Sequence, residues 1–308
     1  MKTPPVHISP KPRKRRFAWL VIGSLFLAWI ISMQTGCFAM RTPDRKWPAK
    51  LREKGQTHPP TFHDIRAAGY RTIHAVETSP ADTLPLVAFL HGSPGSADAF
   101  LSYLADTTLS AAARLVSIDR PGFGYTEGFG RPEPSLERQA YAVQVVADKI
   151  APGQKVILVG HSLGGPVIVR FAMDYPQQVA GLVIVAGSID PDLEEHPWWQ
   201  AAVDVPPLRW LIPRSFWASN REIRLLENEL RKILPNWAAI RCPVTVIHAE
   251  NDRLVPFGNV AFARRMLVNC SDYREVTLPK GDHFILWSRK DVVRKAILEM
   301  LEQLGYGT

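Results

Sequence analysis

Cysteine is scarce in this sequence, with three among 308 residues, at positions 37, 242 and 270. Once Cys37 is assigned to the N-terminal segment, at most one pair is left. Cys242 and Cys270 each precede an apolar run typical of a strand, and they are interpreted either as two buried free thiols or as a disulfide formed after export. No spacing of Cys, His or acidic residues indicates a metal site, and the glycine runs lack a phosphate-loop lysine. We therefore expect neither a metal nor a cofactor.

Acidic residues are nearly absent from the first 50 positions. Ten Lys and Arg lie there against one acid, Asp44, although the whole chain has 37 basic and 29 acidic residues. The other positions thus hold 27 basic and 28 acidic side chains. A near-neutral folded part lacks the basic surface that polyanion binding requires. We predict no nucleic-acid partner.

The basic excess precedes an apolar run. The cationic block 11–16 is followed by Phe17–Met33, which carries no charge over 17 residues. This order is typical of a targeting segment, and cations stay on the cytoplasmic side, so the rest of the chain is expected to be exported. The length suits a short membrane-spanning helix or a long signal core.

Gly36 and Cys37 follow this run and resemble the bacterial lipobox, in which a small residue precedes a cysteine that becomes lipidated. Gln34 stands where that pattern normally has an aliphatic residue. Three interpretations remain open: a lipoprotein anchored through Cys37, an uncleaved anchor helix, and an ordinary signal peptide. Each places the remaining chain outside the cytoplasm, and the first two keep it membrane-associated.

From residue 61 onward, β-rich apolar runs alternate with segments of helical spacing. Strands are predicted at Arg71–Glu77, Pro85–Leu90, Arg114–Ile118, Lys155–Gly160, Gly181–Ala186, Val244–His248 and Tyr273–Leu278. Helices are predicted at Leu136–Ile150, Gly164–Asp174, Ser219–Leu234, Asn259–Val268 and Lys290–Leu304. This alternation predicts an α/β fold with a mostly parallel central sheet and helices on both faces. We divide the chain into a signal or anchor segment (1–40), a linker (41–60) and one folded domain (61–308).

One strand end carries an isolated serine between glycines, in the stretch Gly160–Gly164. A tight turn from strand to helix strains the backbone and leaves no room for side chains two positions to either side. Such a turn exposes the Ser162 hydroxyl above the sheet edge, at the positive end of the next helix. This pattern predicts a nucleophile elbow, whereas the alternative is a glycine-rich turn with a capping serine.

A serine hydroxyl needs a base to act as a nucleophile near neutral pH. His283 follows the last predicted strand, and Asp252 follows the strand before it, so both are expected at the same sheet edge as Ser162. Glu250 and Asp282 compete with Asp252 for the role of orienting carboxylate. Asp252 could instead cap the helix that begins near Pro256.

From about Arg71 to Leu304 the chain resembles the α/β-hydrolase fold proteins with a serine nucleophile. The matching stretches are 91–95 (HGSPG), 119–124 (DRPGFG), the Ser162 elbow, 252–256 (DRLVP) and 281–283 (GDH). The resemblance implies a catalytic triad of Ser162, His283 and Asp252. It also implies an oxyanion hole formed by the backbone N–H groups of Leu163 and Ser93.

The resemblance assigns supporting roles to other residues near these motifs. His91 is expected to brace its loop, Asp119 and Arg120 to hold the neighbouring turn, and His161 to pack within the elbow. Serine at position 162 excludes the dehalogenases and epoxide hydrolases of this fold, which use an aspartate there.

The segment of about 189–240 is too long for a simple connection. In the family, a helical lid over the active site is inserted here. Its five tryptophans (Trp198, Trp199, Trp210, Trp217 and Trp237) would provide an apolar acyl or alcohol pocket, or they only pack on the sheet.

These expectations lead to two functional hypotheses. The first is a membrane-tethered serine hydrolase that cleaves small carboxylic esters with an apolar acyl or alcohol group. The second is an acyltransferase or a non-hydrolytic ligand-binding protein on the same fold.

Overall fold

The computed structural model describes residues 13–35 and 38–306. Its centre is one eight-stranded sheet in the order β1-β2-β4-β3-β5-β6-β7-β8, in which β2 is antiparallel to its neighbours β1 and β4 and all other pairs are parallel. The strands are β1 (Thr61–Arg66), β2 (Thr72–Thr78), β3 (Leu86–Leu90), β4 (Arg114–Ile118), β5 (Val156–His161), β6 (Val179–Val185), β7 (Val244–Ala249) and β8 (Tyr273–Leu278). The predicted α/β class is confirmed.

Helices connect the strands. They are α1 (Arg13–Gln34), α2 (Trp47–Glu53), α3 (Leu101–Leu104), α4 (Thr107–Ala112), α5 (Leu136–Ile150), α6 (Gly164–Asp174), α7 (Trp199–Ala202), α8 (Arg214–Ile233), α9 (Gly258–Met266), α10 (Ile285–Ser288) and α11 (Lys290–Gln303). Short 3-10 helices lie at Asp44–Lys46, Ala97–Phe100, Pro176–Gln178, Pro191–Leu193, Leu208–Leu211 and Leu234–Ala239.

The core forms two layers, one on each face of the sheet. Val156 and Leu158 of β5 belong to one layer, while Ile157 and Val159 belong to the other, because successive side chains of a strand point to opposite faces. Both layers are apolar, which explains why the central strands read as unbroken apolar runs rather than alternating ones.

Strand β1 was not predicted from the sequence. It pairs only with β2, at the edge of the sheet, and its side chains are half-buried or exposed. An edge strand that packs on one side has no need of a continuous apolar run, so its sequence (TFHDIR) carries little strand signal.

The segment 41–60, expected as a linker, contains α2. Trp47 and Leu51, one helical turn apart, are each only 1% exposed and belong to the same apolar layer as Ile157. The folded body therefore includes residues from this segment.

The insertion at 189–240 is helical and is called the cap below. It comprises α7, α8 and three 3-10 helices. Its tryptophans differ in environment, since Trp237 is buried against the ring of Phe262, whereas Trp198 is 83% exposed and Trp210 is 44% exposed.

Helix α1 stands apart from the sheet. Its span Phe17–Gln34 is long and apolar enough to cross a membrane by length and composition, and only 6% of that span is buried. The last turns of α1 touch the cap, because Trp29 donates to the carbonyl of Leu211 (3.2 Å) and Gln34 donates to that of Trp210 (3.1 Å). The lipidation candidate Cys37 lies outside the described residues, whereas Cys242 and Cys270 are free thiols.

Candidate active site

Ser162 occupies a sharp turn between β5 and α6. Its φ of 53° lies in the left-handed region that non-glycine residues rarely adopt, so the backbone is strained here. Two backbone hydrogen bonds hold the turn. The Ser162 amide donates to the Val185 carbonyl (3.0 Å), and the Gly165 amide donates to the Ser162 carbonyl (2.9 Å). This geometry projects the side chain away from the strand, as the elbow interpretation expects.

The flanking glycines are required by close backbone contacts. A methyl group added at Gly160 would lie 2.4 Å from the Gly164 carbonyl oxygen, and one at Gly164 would lie 2.2 Å from the Leu90 carbonyl oxygen. Both distances are far below van der Waals contact with backbone atoms that cannot move independently. Positions 160 and 164 therefore have no room for a side chain.

His283 and Asp252 meet at the same sheet edge. His283 Nδ1 lies 2.8 Å from Asp252 Oδ2, and both residues are 7% exposed. The two competing carboxylates are elsewhere: Glu250 is exposed, and Asp282 accepts from the Phe284 amide (2.9 Å). Of the three candidate carboxylates, only Asp252 contacts the imidazole.

The imidazole is held next to the elbow by the residue that precedes the serine. His161 Nε2 lies 3.1 Å from the carbonyl oxygen of His283, and the two ring centroids are 4.9 Å apart. Within the described residues, the Ser162 hydroxyl makes no hydrogen bond to His283 within 3.5 Å. Catalytic hydrogen bonds are often long in an unliganded enzyme and tighten when substrate binds.

Both carboxylate oxygens of Asp252 take part in hydrogen bonds that hold the side chain in place. Oδ1 accepts from the amides of Leu254 and Val255, each at 2.9 Å, and leaves Oδ2 for His283. Burial by itself would raise the pKa of Asp252, but hydrogen bonds from His248, His283 and the Val255 amide outweigh it and hold the pKa well below its ordinary range. The carboxylate is therefore ionised at neutral pH and can stabilise a positive imidazole.

A second histidine near Asp252 was not singled out from the sequence. His248 is in β7. Its Nε2 atom lies 3.5 Å from Asp252 Oδ2 and 3.0 Å from the carbonyl oxygen of Val255. His248 precedes Asp252 by four positions, so a search for histidines near the carboxylate would have found it. Its contact with the carboxylate suits a supporting role.

The expected oxyanion donors lie beside the elbow. Leu163 directly follows Ser162 and precedes the first residue of α6. On the other side, a methyl group at Gly92 would lie 2.9 Å from Ser162 Cβ, which places the residue before Ser93 against the serine. The structure thus places the elbow of Ser162 and Leu163 against Gly92, the residue before Ser93.

Arg120 braces the loop that carries Ser93. Its Nε donates to the His91 carbonyl (2.8 Å), its Nη2 donates to the Gly92 carbonyl (3.1 Å), and its backbone amide donates to His91 Nε2 (3.0 Å). Burial, followed by the nearby Arg120 charge, lowers the pKa of His91 to about 3. His91 is therefore neutral and structural, as expected from the sequence.

Glu222 of the cap was missed by sequence reasoning. Its carboxylate is 1% exposed, and Oε2 accepts from Arg120 Nη1 and from the Ser93 hydroxyl, both at 3.1 Å. Burial raises the pKa of Glu222, and the Arg120 guanidinium opposes that rise. An acid on the apolar stripe of α8, four residues before Leu226, was the signal that could have revealed it. Through these contacts the cap is attached to the loop that carries Ser93.

Within residues 13–35 and 38–306, no group of three or more His, Cys, Asp or Glu side chains is arranged to hold a metal ion. The chemistry available at this edge is that of a serine, an imidazole, a carboxylate and backbone donors.

Comparison with known proteins gives one family and a range of activities. A profile of the alpha/beta hydrolase family matches residues 87–296. A lysophosphatidylserine lipase of Danio rerio is 26% identical over 207 residues, which cover 64% of this chain and 52% of that protein. A pimeloyl-[acyl-carrier protein] methyl ester esterase of Proteus mirabilis is 36% identical over 113 residues, covering 37% of this chain and 40% of that protein. The chain thus spans about half or less of the length of these two relatives.

The structure is also similar to that of a membrane phospholipase A. The TM-score is 0.64 at 18% sequence identity, and the alignment covers 94% of this chain and 99% of the other. At that identity the likeness establishes a shared fold and no more.

Proposed function

Because the chain belongs to the alpha/beta hydrolase family, we propose that it is a serine hydrolase that cleaves carboxylic esters through Ser162, His283 and Asp252. The observation that carries the proposal is the meeting of a strained serine turn with a buried His–Asp pair at one sheet edge. The two relatives named above are a lipase and an esterase, which supports an ester as the substrate class.

The first half of the reaction acylates the enzyme. His283 Nε2 removes the proton of the Ser162 hydroxyl as the oxygen attacks the ester carbonyl carbon. The carbonyl oxygen becomes an oxyanion, which the backbone N–H groups of Leu163 and Ser93 stabilise, a contribution commonly worth about 3 kcal/mol per donor. The imidazolium returns its proton to the leaving alkoxide, and the alcohol departs.

The second half releases the acid. His283 takes a proton from water, the hydroxide attacks the acyl-serine carbonyl, and Ser162 leaves with the proton that the imidazolium returns. Asp252 keeps the imidazole in the tautomer whose Nε2 can accept a proton, because Nδ1–H donates to Oδ2. Acid and free enzyme are the products.

An acyltransferase uses the same acyl-enzyme but gives the acyl group to an alcohol other than water, and it is the alternative that stays open. The binding function of a non-hydrolytic protein does not require a strained serine turn or an ionised buried carboxylate, so these features argue against that alternative. We expect the apolar cap residues to favour an apolar acyl or alcohol group.

For location, we propose an N-terminal membrane attachment with the hydrolase domain on the non-cytoplasmic side. The support is the cationic block before an apolar, largely unburied α1. Attachment through a lipidated Cys37 is the second version of the same proposal, and globomycin-sensitive processing distinguishes them. Recovery of the intact protein in the soluble cytosolic fraction would contradict both.

The direct test is labelling with a fluorophosphonate probe, which reacts only with an activated serine. The wild type should be labelled and Ser162→Ala should not. Ser188→Ala is the matched control, because this serine lies nearby but its hydroxyl donates to Glu194, and it should be labelled like the wild type. Equal labelling of wild type and Ser162→Ala would exclude the proposed nucleophile. Product analysis of a p-nitrophenyl ester with a competing alcohol separates hydrolysis from transfer.

A further inference from the structure

A cavity lies where α1 meets the cap, and Ser162 is not among its lining residues. Its volume is about 220 Å³, and it is lined by three arginines, two tryptophans and the last residue of α1 (Arg131, Arg209, Arg214, Trp210, Trp217 and Gln34). None of these residues takes part in the proposed reaction, so the cavity needs a separate explanation.

The three guanidinium groups lack a paired carboxylate. Among residues 13–35 and 38–306, no carboxylate lies within 4.0 Å of Arg131, Arg209 or Arg214. By contrast, two other arginines of α8, Arg221 and Arg224, both pair with Asp204. Arg214 donates to the Phe129 carbonyl, and Arg209 lies over the Trp217 ring, 5.8 Å from its centroid. Like charges around one cavity repel each other unless an anion occupies it.

The start of α8 adds to this positive potential. The helix begins at Arg214, has no side-chain cap and has no acid in its first turn. The N-terminal end of a 20-residue helix presents free N–H groups and the positive end of its dipole, where an anion is stabilised and a cation is not. The positive charge of Arg214 at this helix end is unfavourable unless an anion lies between the guanidinium and the free N–H groups.

One of the two tryptophans that line the cavity has a buried indole N–H group. The indole Nε1 of Trp217 is buried and has no hydrogen-bond partner among the described residues. The cavity is thus lined by three arginines, one of which stands at the N-terminus of a helix, and this arrangement favours an anionic ligand.

The place of the cavity along α1 identifies the source of that ligand. Gln34 ends the apolar span and also lines the cavity, and its amide donates to the carbonyls of Trp210 and Ile212. The end of a membrane span lies at the depth of the lipid headgroups. Trp210, which lines the cavity, is 44% exposed, and Phe216 in the first turn of α8 is 47% exposed, as is typical of aromatic residues in an interfacial belt.

We propose that this cavity binds the phosphodiester headgroup of an anionic membrane phospholipid. Arg131, Arg209 and Arg214 hold the phosphate oxygens, and the exposed aromatic residues of the cap rest in the adjoining interface. The proposal rests on the version of the proposed membrane attachment that keeps α1, because cleavage before a lipidated Cys37 would remove Gln34. It goes further, since it makes the cap a lipid-binding surface.

The test uses the full chain in detergent micelles. The parent protein carries Ser162→Ala, so that no lipid is hydrolysed. Native mass spectrometry measures the apparent Kd for dipalmitoylphosphatidylglycerol. Each lost guanidinium should weaken binding about tenfold, so Arg209→Gln with Arg214→Gln should weaken it about a hundredfold. The control, Arg231→Gln with Arg265→Gln, removes the same charge from the exposed surface and should bind like the parent.

Two further probes identify the source of the phosphate. Dipalmitoylglycerol has the same acyl chains without the phosphate and should bind at least about tenfold more weakly. Inorganic phosphate has the anion without the chains and should compete poorly. Equal binding of dipalmitoylglycerol, equal competition by inorganic phosphate, or unchanged binding in the double variant would each overturn the proposal.

A second variant guards against loss of folding, because Arg214 also contacts Phe129. Arg131→Gln with Arg209→Gln leaves that contact intact and should show a comparable loss of lipid binding. Since binding is measured without a nucleophile, its outcome is independent of fluorophosphonate labelling. A protein that labels but does not bind lipid would retain the hydrolase assignment and lose this one.

Discussion

Replacing Asp252 by asparagine changes one carboxylate oxygen into an amide nitrogen, and the surrounding hydrogen bonds decide which one. Oδ1 accepts from the backbone amides of Leu254 and Val255, each at 2.9 Å. Turning the new NH2 group toward these donors would lose two hydrogen bonds of about 1 kcal/mol each and add repulsion between donors. The asparagine oxygen therefore keeps the Oδ1 position.

The NH2 group is then left facing His283 Nδ1, which lies 2.8 Å from Oδ2 in the wild type. A donor at that place requires Nδ1 to accept, so the proton of the neutral ring moves to Nε2. In that tautomer Nε2 cannot take the Ser162 proton. The expected loss in kcat is about 10⁴-fold, which corresponds to about 5.5 kcal/mol of barrier.

The assay is steady-state hydrolysis of a short p-nitrophenyl ester by Asp252→Asn, with fluorophosphonate labelling rates as a second readout. Asp282→Asn is the matched control, because this exposed carboxylate accepts from the Phe284 amide and an amide oxygen can do the same. Its kcat should stay within about threefold of the wild type. A thermal melt shows whether each variant is folded. A folded Asp252→Asn enzyme with kcat within tenfold of the wild type would refute the reasoning about the tautomer.

Two other substitutions test the neighbouring backbone. Ser93→Ala removes a hydroxyl that donates to Glu222 but keeps the backbone N–H, so kcat should fall less than about tenfold while the unfolding free energy falls by about 1–3 kcal/mol. Steady-state kinetics and a denaturation curve check this, and a hundredfold loss of kcat would assign a direct role to the hydroxyl. Gly164→Ala places a methyl group 2.2 Å from the Leu90 carbonyl oxygen, so it should yield little folded protein, with a loss of about 4 kcal/mol or more. Gly23→Ala, where nothing lies within 4 Å, is the control, and a wild-type melting temperature for Gly164→Ala would contradict the packing argument.

Elements with strong local signals were predicted closely. Helix α5 spans Leu136–Ile150 as predicted, because its apolar spacing is regular and Ser135 caps its first turn through the Arg138 amide. Strands β4 and β8 also match their predicted bounds. In contrast, α2 has only seven residues, and two buried side chains, Trp47 and Leu51, are too short a pattern to be recognised.

The proposed site divides in the same way. The turn at Ser162 was readable because its glycines, strand and helix are consecutive in the chain. The contact between His283 and Asp252 joins residues 31 positions apart, and the sequence left Glu250 and Asp282 as competitors. Relative placement of two loops depends on how the strands beneath them are ordered, which no local pattern encodes.

What the sequence by itself determined is therefore the kind of chain: alternating strands and helices, a serine at a strained turn, and an apolar N-terminal run. Tertiary structure alone decided that Arg120 meets Glu222 across 102 positions and that the end of α1 meets the cap at a cavity lined by three arginines. Periodicity and turn chemistry depend on neighbours along the chain, so they can be predicted from the sequence. Charge pairing and cavities depend on neighbours in space, and these are set only when the whole sheet has assembled.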